Sequence, residues 1–240
     1  MGQVRIYADA AELAQAAAGK IAQRLIAGMG VGGRCRVALS GGHTPIATYQ
    51  ALAAGPWLGP LQWRGVEIYF TDERAVPPEH PESNYGMARA TLLDPAAIPA
   101  QNIHRIRAED PDLEQVVREY DAVLPPALDL IILGIGEDGH TASIFPGSPL
   151  AREALVRVAA VRDSPRPPLR RITITPRVLR DAREIMVLAA GGSKAAAVAR
   201  ALEGTTDPDL IPARLVRERE WLLDRAAARL VKDPDAPRTA

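Results

Sequence analysis

Cysteine, lysine and net charge are what this sequence has least of. Cys35 is the one cysteine among 240 residues, so neither an intrachain disulfide nor a cysteine-rich metal site can form. It opens a strand-like segment, Arg34-Cys35-Arg36-Val37-Ala38-Leu39, and reads as a plain buried thiol. Lys+Arg and Asp+Glu both number 29. That balance removes the broad basic face that nucleic acid or an anionic membrane would require, and any anion must be bound locally. No apolar run is long enough to span a bilayer. The opening residues lack the apolar core of a signal peptide, and Ile6 stands where myristoylation needs Ser or Thr. A cytoplasmic chain is expected. No metal-ligand spacing appears: there is no H-E-x-x-H or EF-hand pattern, and the P-loop and G-x-S-x-G patterns are absent too. Gly134-Ile135-Gly136 lacks the third glycine of a dinucleotide fingerprint. Arginine outnumbers lysine by 26 to 3, a compositional bias that makes Lys20, Lys194 and Lys232 conspicuous.

What is present is an ordinary globular composition, 47% apolar and 24% charged. It suffices for one well-buried α/β domain over 1–231, and the tail Lys232–Ala240, with two prolines, is expected to fray. Strand-like segments (Val4–Tyr7, Arg36–Leu39, Val66–Phe70, Ile103–Ile106, Leu128–Leu133, Val156–Val161, Arg171–Thr175, Glu184–Ala189) alternate with helical ones. The helical segments are Ala10–Met29, Thr44–Ala54, Asn84–Leu93, Asp112–Val123 and Gly192–Glu203, with a last short element at Leu222–Leu230. The alternation predicts a doubly wound, mostly parallel sheet with helices on both faces, a Rossmann-like α/β fold. Ser164–Pro168, with three prolines, reads as a surface loop. No helix shows an isolated exposed apolar stripe, so a monomer is favoured.

Leu128–Leu133 is an apolar run broken only by Asp129, as expected of a strand buried on both faces. It runs into Gly134-Ile135-Gly136-Glu137-Asp138-Gly139-His140-Thr141-Ala142. A turn built on glycines thus presents an acid and an imidazole at a strand's carboxyl end, where α/β sheets bind ligands. An imidazole titrates near neutrality and suits proton transfer. Asp138 is either its orienting partner or a turn-capping acid.

Three more polar turns follow strands. Ser40-Gly41-Gly42-His43-Thr44-Pro45 offers freed backbone amides at a helix start, with Thr44 as the expected N-cap and Pro45 at the first position. The turn suits a phosphate; the plainer alternative is a tight β–α connection. Gly191-Gly192-Ser193-Lys194 adds a cation where the macrodipole opposes one; a bound anion would compensate, or else the lysine is solvated. Thr71-Asp72-Glu73-Arg74 supplies a guanidinium for a phosphate or a carbonyl, or else is a solvated charged loop. In a parallel sheet all four turns share one edge. His43 lines that edge or faces solvent; His80 and His104 read as incidental.

Together these stretches, with Ser83-Asn84-Tyr85, Ser143-Ile144-Phe145-Pro146 and Arg171-Ile172-Thr173-Ile174-Thr175, resemble the 6-phosphogluconolactonase family in order and across nearly the whole chain. The resemblance implies hydrolysis of 6-phospho-D-glucono-1,5-lactone in the oxidative pentose phosphate pathway, without a cofactor. By that likeness the partner is a small sugar phosphate lactone, His140 is the base that activates water, and the Gly41–Thr44 turn, Arg74 and Lys194 hold the phosphate or the lactone's oxygens. The expected catalytic set is His140, Asp138 and Arg74, and Ser40, Gly41, Gly42, Thr44, Asp72, Asn84, Arg171 and Lys194 are the expected substrate contacts.

The related glucosamine-6-phosphate deaminases are the nearest alternative. They use the residue matching Asp72 to move a proton, but continue past the Asp-Gly-His segment into Asn-Glu-Pro. This chain has Ser143-Ile144-Phe145-Pro146, with no acid, and carries Arg74 where they carry tyrosine. A non-catalytic sugar-phosphate sensor would want a DNA-binding segment, and the sequence shows none.

Overall fold

The structure, a computed structural model, describes residues 3–30 and 33–232. The described residues form nine strands: β1 (Val4–Tyr7), β2 (Cys35–Leu39), β3 (Val66–Phe70), β4 (Asp72–Arg74), β5 (Leu130–Gly134), β6 (Val158–Val161), β7 (Arg171–Ile174), β8 (Glu184–Ala189) and β9 (Glu220–Asp224). The helices are α1 (Ala10–Met29), α2 (Thr44–Ala54), α3 (Pro60–Trp63), α4 (Asn84–Ala88), α5 (Leu113–Val123), α6 (Pro176–Asp181), α7 (Ala195–Leu202) and α8 (Arg225–Ala228).

Six strands form one parallel sheet in the order β1-β9-β8-β5-β2-β3. Its inner strands are apolar on both faces: Leu130 to Leu133 of β5 and Ile185 to Ala189 of β8 are buried, and so is every residue of the edge strand β3. Sequential strands step one way from β2 to β3 and the other way from β5 through β8 to β9. Right-handed crossovers then place α2 and α7 on opposite faces, giving the doubly wound α/β arrangement that the alternation predicts. The reversal falls between β2 and β5, the place where such sheets bind ligands. Pairing between these two strands covers only Val37–Leu130 and Ala38–Ile131, so their carboxyl ends are free to part.

Local chemistry accounts for the long helix. Asp9 caps α1, its carboxylate accepting from the Ala11 and Glu12 amides at 2.9 Å, while Glu12 reaches back to the Ala8 amide. This is a reciprocal capping arrangement. Leu13, Ala17, Ile21 and Leu25 then bury one stripe at helical spacing.

The remaining strands depart from the expected single sheet. β4, β7 and β6 form a separate antiparallel sheet, in that order. Only Thr71 separates β3 from β4. Its amide donates to Leu39 O and its carbonyl accepts from Ile174 N, so one residue stitches the two sheets together. Thr71–Arg74 is therefore no solvated loop: Asp72 and Glu73 are 5% and 3% exposed. Three further expectations are corrected. Ile103–Ile106 is not a strand; Ile103 makes a single bridge to Ile68 after a 3₁₀ turn at Ala100–Asn102. Asn84–Leu93 is α-helical only to Ala88 and widens to a π-helical turn at Arg89–Leu93. Leu222–Leu230 is divided between β9 and α8, with Asp224 capping the Ala227 amide. The tail beyond Lys232 lies outside the described residues, among which no helix is long and apolar enough to cross a membrane.

His104 belongs to this scaffold. Its ring stacks on Tyr69 with centroids 4.5 Å apart, and Nε2 is buried without a hydrogen-bond partner. Burial pushes its imidazole down from the usual range, against the pull of Glu67. A folded value below the unfolded one gives stability that is present above the unfolded value, near pH 6.5, and is lost as acid protonates the buried ring. Urea unfolding of the protein and of His104→Phe should show the wild type losing more stability between pH 7 and pH 5. Equal losses would mean that His104 carries no such linkage.

Candidate active site

The four polar turns do meet. A cleft of roughly 660 Å³ lies at the carboxyl ends of β2, β3, β5 and β8, closed on one side by β4 and β7. Ser40, Gly41, Gly42, Thr44, Asp72, Arg74, Asn84, His140, Arg171 and Lys194 all line it. Asp138 stands behind His140 rather than at the surface of the cleft. His43 also lines it, whereas His80 and His104 do not. A larger groove of roughly 960 Å³ lies between α6 and residues 205–219. It contains no imidazole and no glycine turn.

The loop after β5 is wound tightly on itself. Gly136 N donates to His140 O, Gly139 N to Gly136 O, and Thr141 Oγ1 to Gly134 O. This winding leaves Gly136 under the imidazole, where a Cβ would lie 2.1 Å from His140 Nδ1 and 2.6 Å from Asp138 Oδ1. Only glycine fits there. Asp138 Oδ1 lies 2.5 Å from His140 Nδ1 and accepts from the His140 amide at 3.2 Å. Asp138 thus both caps the turn and bonds the ring, and His140 Nε2 is the ring nitrogen left over. Burial pushes the Asp138 carboxyl up, but the ring and amide of His140 together with Arg166 outweigh it and hold it well below the usual carboxylate range. The Phe145 ring packs 4.8 Å from the imidazole and carries the Arg171 guanidinium 5.3 Å away on the same ring.

Strand alternation divides the acids of β4. Asp72 and Arg74 line the cleft. Glu73 turns away and accepts from the Asn84 and Tyr85 amides and the Ser83 hydroxyl, fixing the start of α4. Asp72 accepts from the Thr71 and Ser143 hydroxyls at 3.0 and 2.7 Å, and its carbonyl takes the Asn84 amide group. That last bond leaves Asn84 Oδ1 facing Gly41, where a Cβ would approach within 1.7 Å. Ser40 Oγ, Arg74 Nε and Asn84 Oδ1 are buried without partners at the cleft. Buried polar atoms are rarely left so, and all three belong to residues that line the cleft.

Across the cleft, Lys194 Nζ donates to Thr44 Oγ1 at 2.6 Å. Thr44 therefore does not cap α2. His43 occupies the cap position without a side-chain bond, and the Thr44 hydroxyl serves the ammonium instead. Lys194 ends a 3₁₀ turn, Gly192–Lys194, that precedes α7. Burial pushes its ammonium down from the usual range, against the carboxylates of Glu137 and Asp224. A cation held in that state is stabilised by an arriving anion.

Three charged lining residues escaped sequence reasoning: Glu82, Glu137 and Arg166. Arg74 donates to the Glu82 carbonyl at 2.6 Å. Arg166 comes from the Ser164–Pro168 segment, which is a wall of the cleft rather than a plain surface loop. Arg171, buried at 3% exposure, directs its guanidinium to the carbonyls of that segment.

Comparison with known proteins now bears on this geometry. The family model described as glucosamine-6-phosphate isomerases/6-phosphogluconolactonase matches residues 8–224. The chain belongs to this family. A human 6-phosphogluconolactonase is 39% identical over 249 residues, covering 97% of this chain and 95% of that protein. One from Mycobacterium tuberculosis is 36% identical, covering 94% and 96%. The structure of 6-phosphogluconolactonase from Trypanosoma brucei superposes with a TM-score of 0.85 at 30% identity, over 95% of this chain and 98% of that one. A monomeric glucosamine-6-phosphate deaminase, at 24% identity and a TM-score of 0.82, shares the fold.

Proposed function

We propose that this chain hydrolyses 6-phospho-D-glucono-1,5-lactone to 6-phosphogluconate, the lactone-opening step of the oxidative pentose phosphate pathway. One observation carries the reading. A single cleft holds an imidazole oriented by a carboxylate and, on different strand ends, a buried lysine joined to the hydroxyl of a glycine-rich turn. The first pair moves a proton; the second takes an anion. A phosphorylated lactone presents an electrophilic carbon and an anion at its two ends.

Lys194, Thr44 and the Ser40–Gly42 backbone hold the phosphate, and this remote binding energy positions C1. His140 Nε2 takes a proton from water as the water oxygen bonds to C1. Arg74 faces the oxyanion that develops on the carbonyl oxygen. Collapse breaks the bond from C1 to the ring oxygen, which leaves with the proton held by His140 and becomes the C5 hydroxyl. The carboxylic acid product then ionises. Asp72 and Asn84 contact the sugar hydroxyls, and Arg171 shapes the wall beside them. The absence of an acid at Ser143–Pro146 and the presence of Arg74 favour ring opening over the isomerase or deaminase chemistry of the same family.

Hydrolysis of freshly generated lactone, corrected for its spontaneous rate, tests the reading directly. Catalysis that survives a chelator is expected. No acceleration over the spontaneous rate would sink the lactonase reading and direct the assay to amino sugar phosphates.

A further inference from the structure

The Ser164–Pro168 segment is built rigidly for a stretch so exposed. Ser164 Oγ donates to the Arg166 carbonyl at 2.8 Å and accepts from the Arg166 amide at 3.2 Å. Ser164 N closes the loop on Leu169 O. From the inside, Arg171 donates to the carbonyls of Arg166, Pro167 and Pro168 at 3.0 to 3.2 Å. A backbone held at so many points delivers one side chain to the cleft. Arg166 Nε lies 3.3 Å from Asp138 Oδ2, the carboxylate oxygen that His140 leaves free.

We propose that Arg166 is a positioning residue for the Asp138–His140 pair, holding the carboxylate from the side opposite the imidazole. The inference rests on the lactonase reading for its kinetic consequence but not for its geometry. A carboxylate bonded on one oxygen alone can rotate about its Cβ–Cγ bond, and the imidazole would follow. Bonded on both oxygens, it presents the ring in a single orientation. The charged and titratable groups acting on Asp138 are His140 from its own loop and Arg166 from the loop before β7. Packed against the imidazole from the other side is Phe145, backed by Arg171. The Arg166 and Asp138 side chains are 46% and 28% exposed, so their pairing acts through orientation and local field and adds little to stability.

Arg166→Ala and Arg166→Lys in the full chain provide the test, with two measurements. The alanine variant should lower kcat about tenfold, as small misplacements of a catalytic group do, with KM changed less than about twofold; the lysine variant should recover part of the loss. The second measurement needs no substrate. In NMR spectra of the four histidines, Arg166→Ala should shift and broaden the His140 ring resonances, because a carboxylate held on one oxygen no longer fixes the ring in a single orientation. Unchanged His140 resonances or an unchanged kcat overturns the proposal. So does a rise in KM with kcat retained, which would make Arg166 a substrate ligand instead. If the wild-type chain fails to turn over the lactone while the His140 resonances change, the activity is misassigned and the positioning role stands.

Discussion

Replacing His140 with alanine should lower kcat on the phosphorylated lactone by about 10²–10⁴-fold, the usual contribution of a positioned general base, with little change in KM. The expectation follows from how the ring is held. Nδ1 is engaged by Asp138, the main chain passes beneath at Gly136, and Phe145 packs against the imidazole. One nitrogen, Nε2, is left to meet water. Asp138 is held well below the usual carboxylate range. A folded value below the unfolded one means that this pairing stabilises the fold above the unfolded value, near pH 3.9, and is lost only in stronger acid. The orienting charge is therefore present across the whole range in which an imidazole exchanges protons. Initial rates on fresh lactone, corrected for spontaneous opening, decide the matter. A variant within threefold of wild type would remove His140 from the chemistry.

Lys194→Met should raise KM for the phosphorylated lactone by roughly 10- to 100-fold, the range of a lost hydrogen bond to a charged group, while leaving kcat within a few-fold. The same change should scarcely alter the slow turnover of unphosphorylated gluconolactone, which has no anion to lose. Folding should survive, because the variant removes a buried ammonium that bonds one hydroxyl and keeps an unbranched side chain only one atom shorter. Equal losses on the two lactones would place the phosphate elsewhere in the cleft.

The parts legible in the sequence were those whose cause is local. Val66–Phe70 and Glu184–Ala189 match β3 and β8 residue for residue, since a short, mostly apolar run between turns is buried in a sheet, β8 inside it and β3 along its edge. The glycines after β2, β5 and β8 marked the cleft for the same reason: backbone must turn sharply there or approach a side chain closely. What stayed hidden depends on distant partners. Asp72-Glu73-Arg74 looks solvated, yet its acids are buried because Thr71, Ser83, Asn84, Tyr85 and Ser143 satisfy them. β9 contributes only Trp221, Leu222 and Leu223 as an apolar signal, and it is a strand because β1 and β8 flank it. Arg166 sits in a run of prolines, and nothing nearby in sequence announces that Arg171 will turn that run toward Asp138.

The place of β9 also sets an order of events during synthesis. β1 lies at the sheet's edge and pairs with β9, Val4 against Trp221 and Tyr7 against Asp224. On a ribosome adding about 5–20 residues per second, β1 must therefore wait on the order of ten seconds or more for its neighbour. The same late strand supplies Asp224, whose carboxylate takes the Gly191 amide of the turn that carries Lys194. A nascent chain thus exposes an unpaired strand and an unfinished lysine turn together, and one strand completes both.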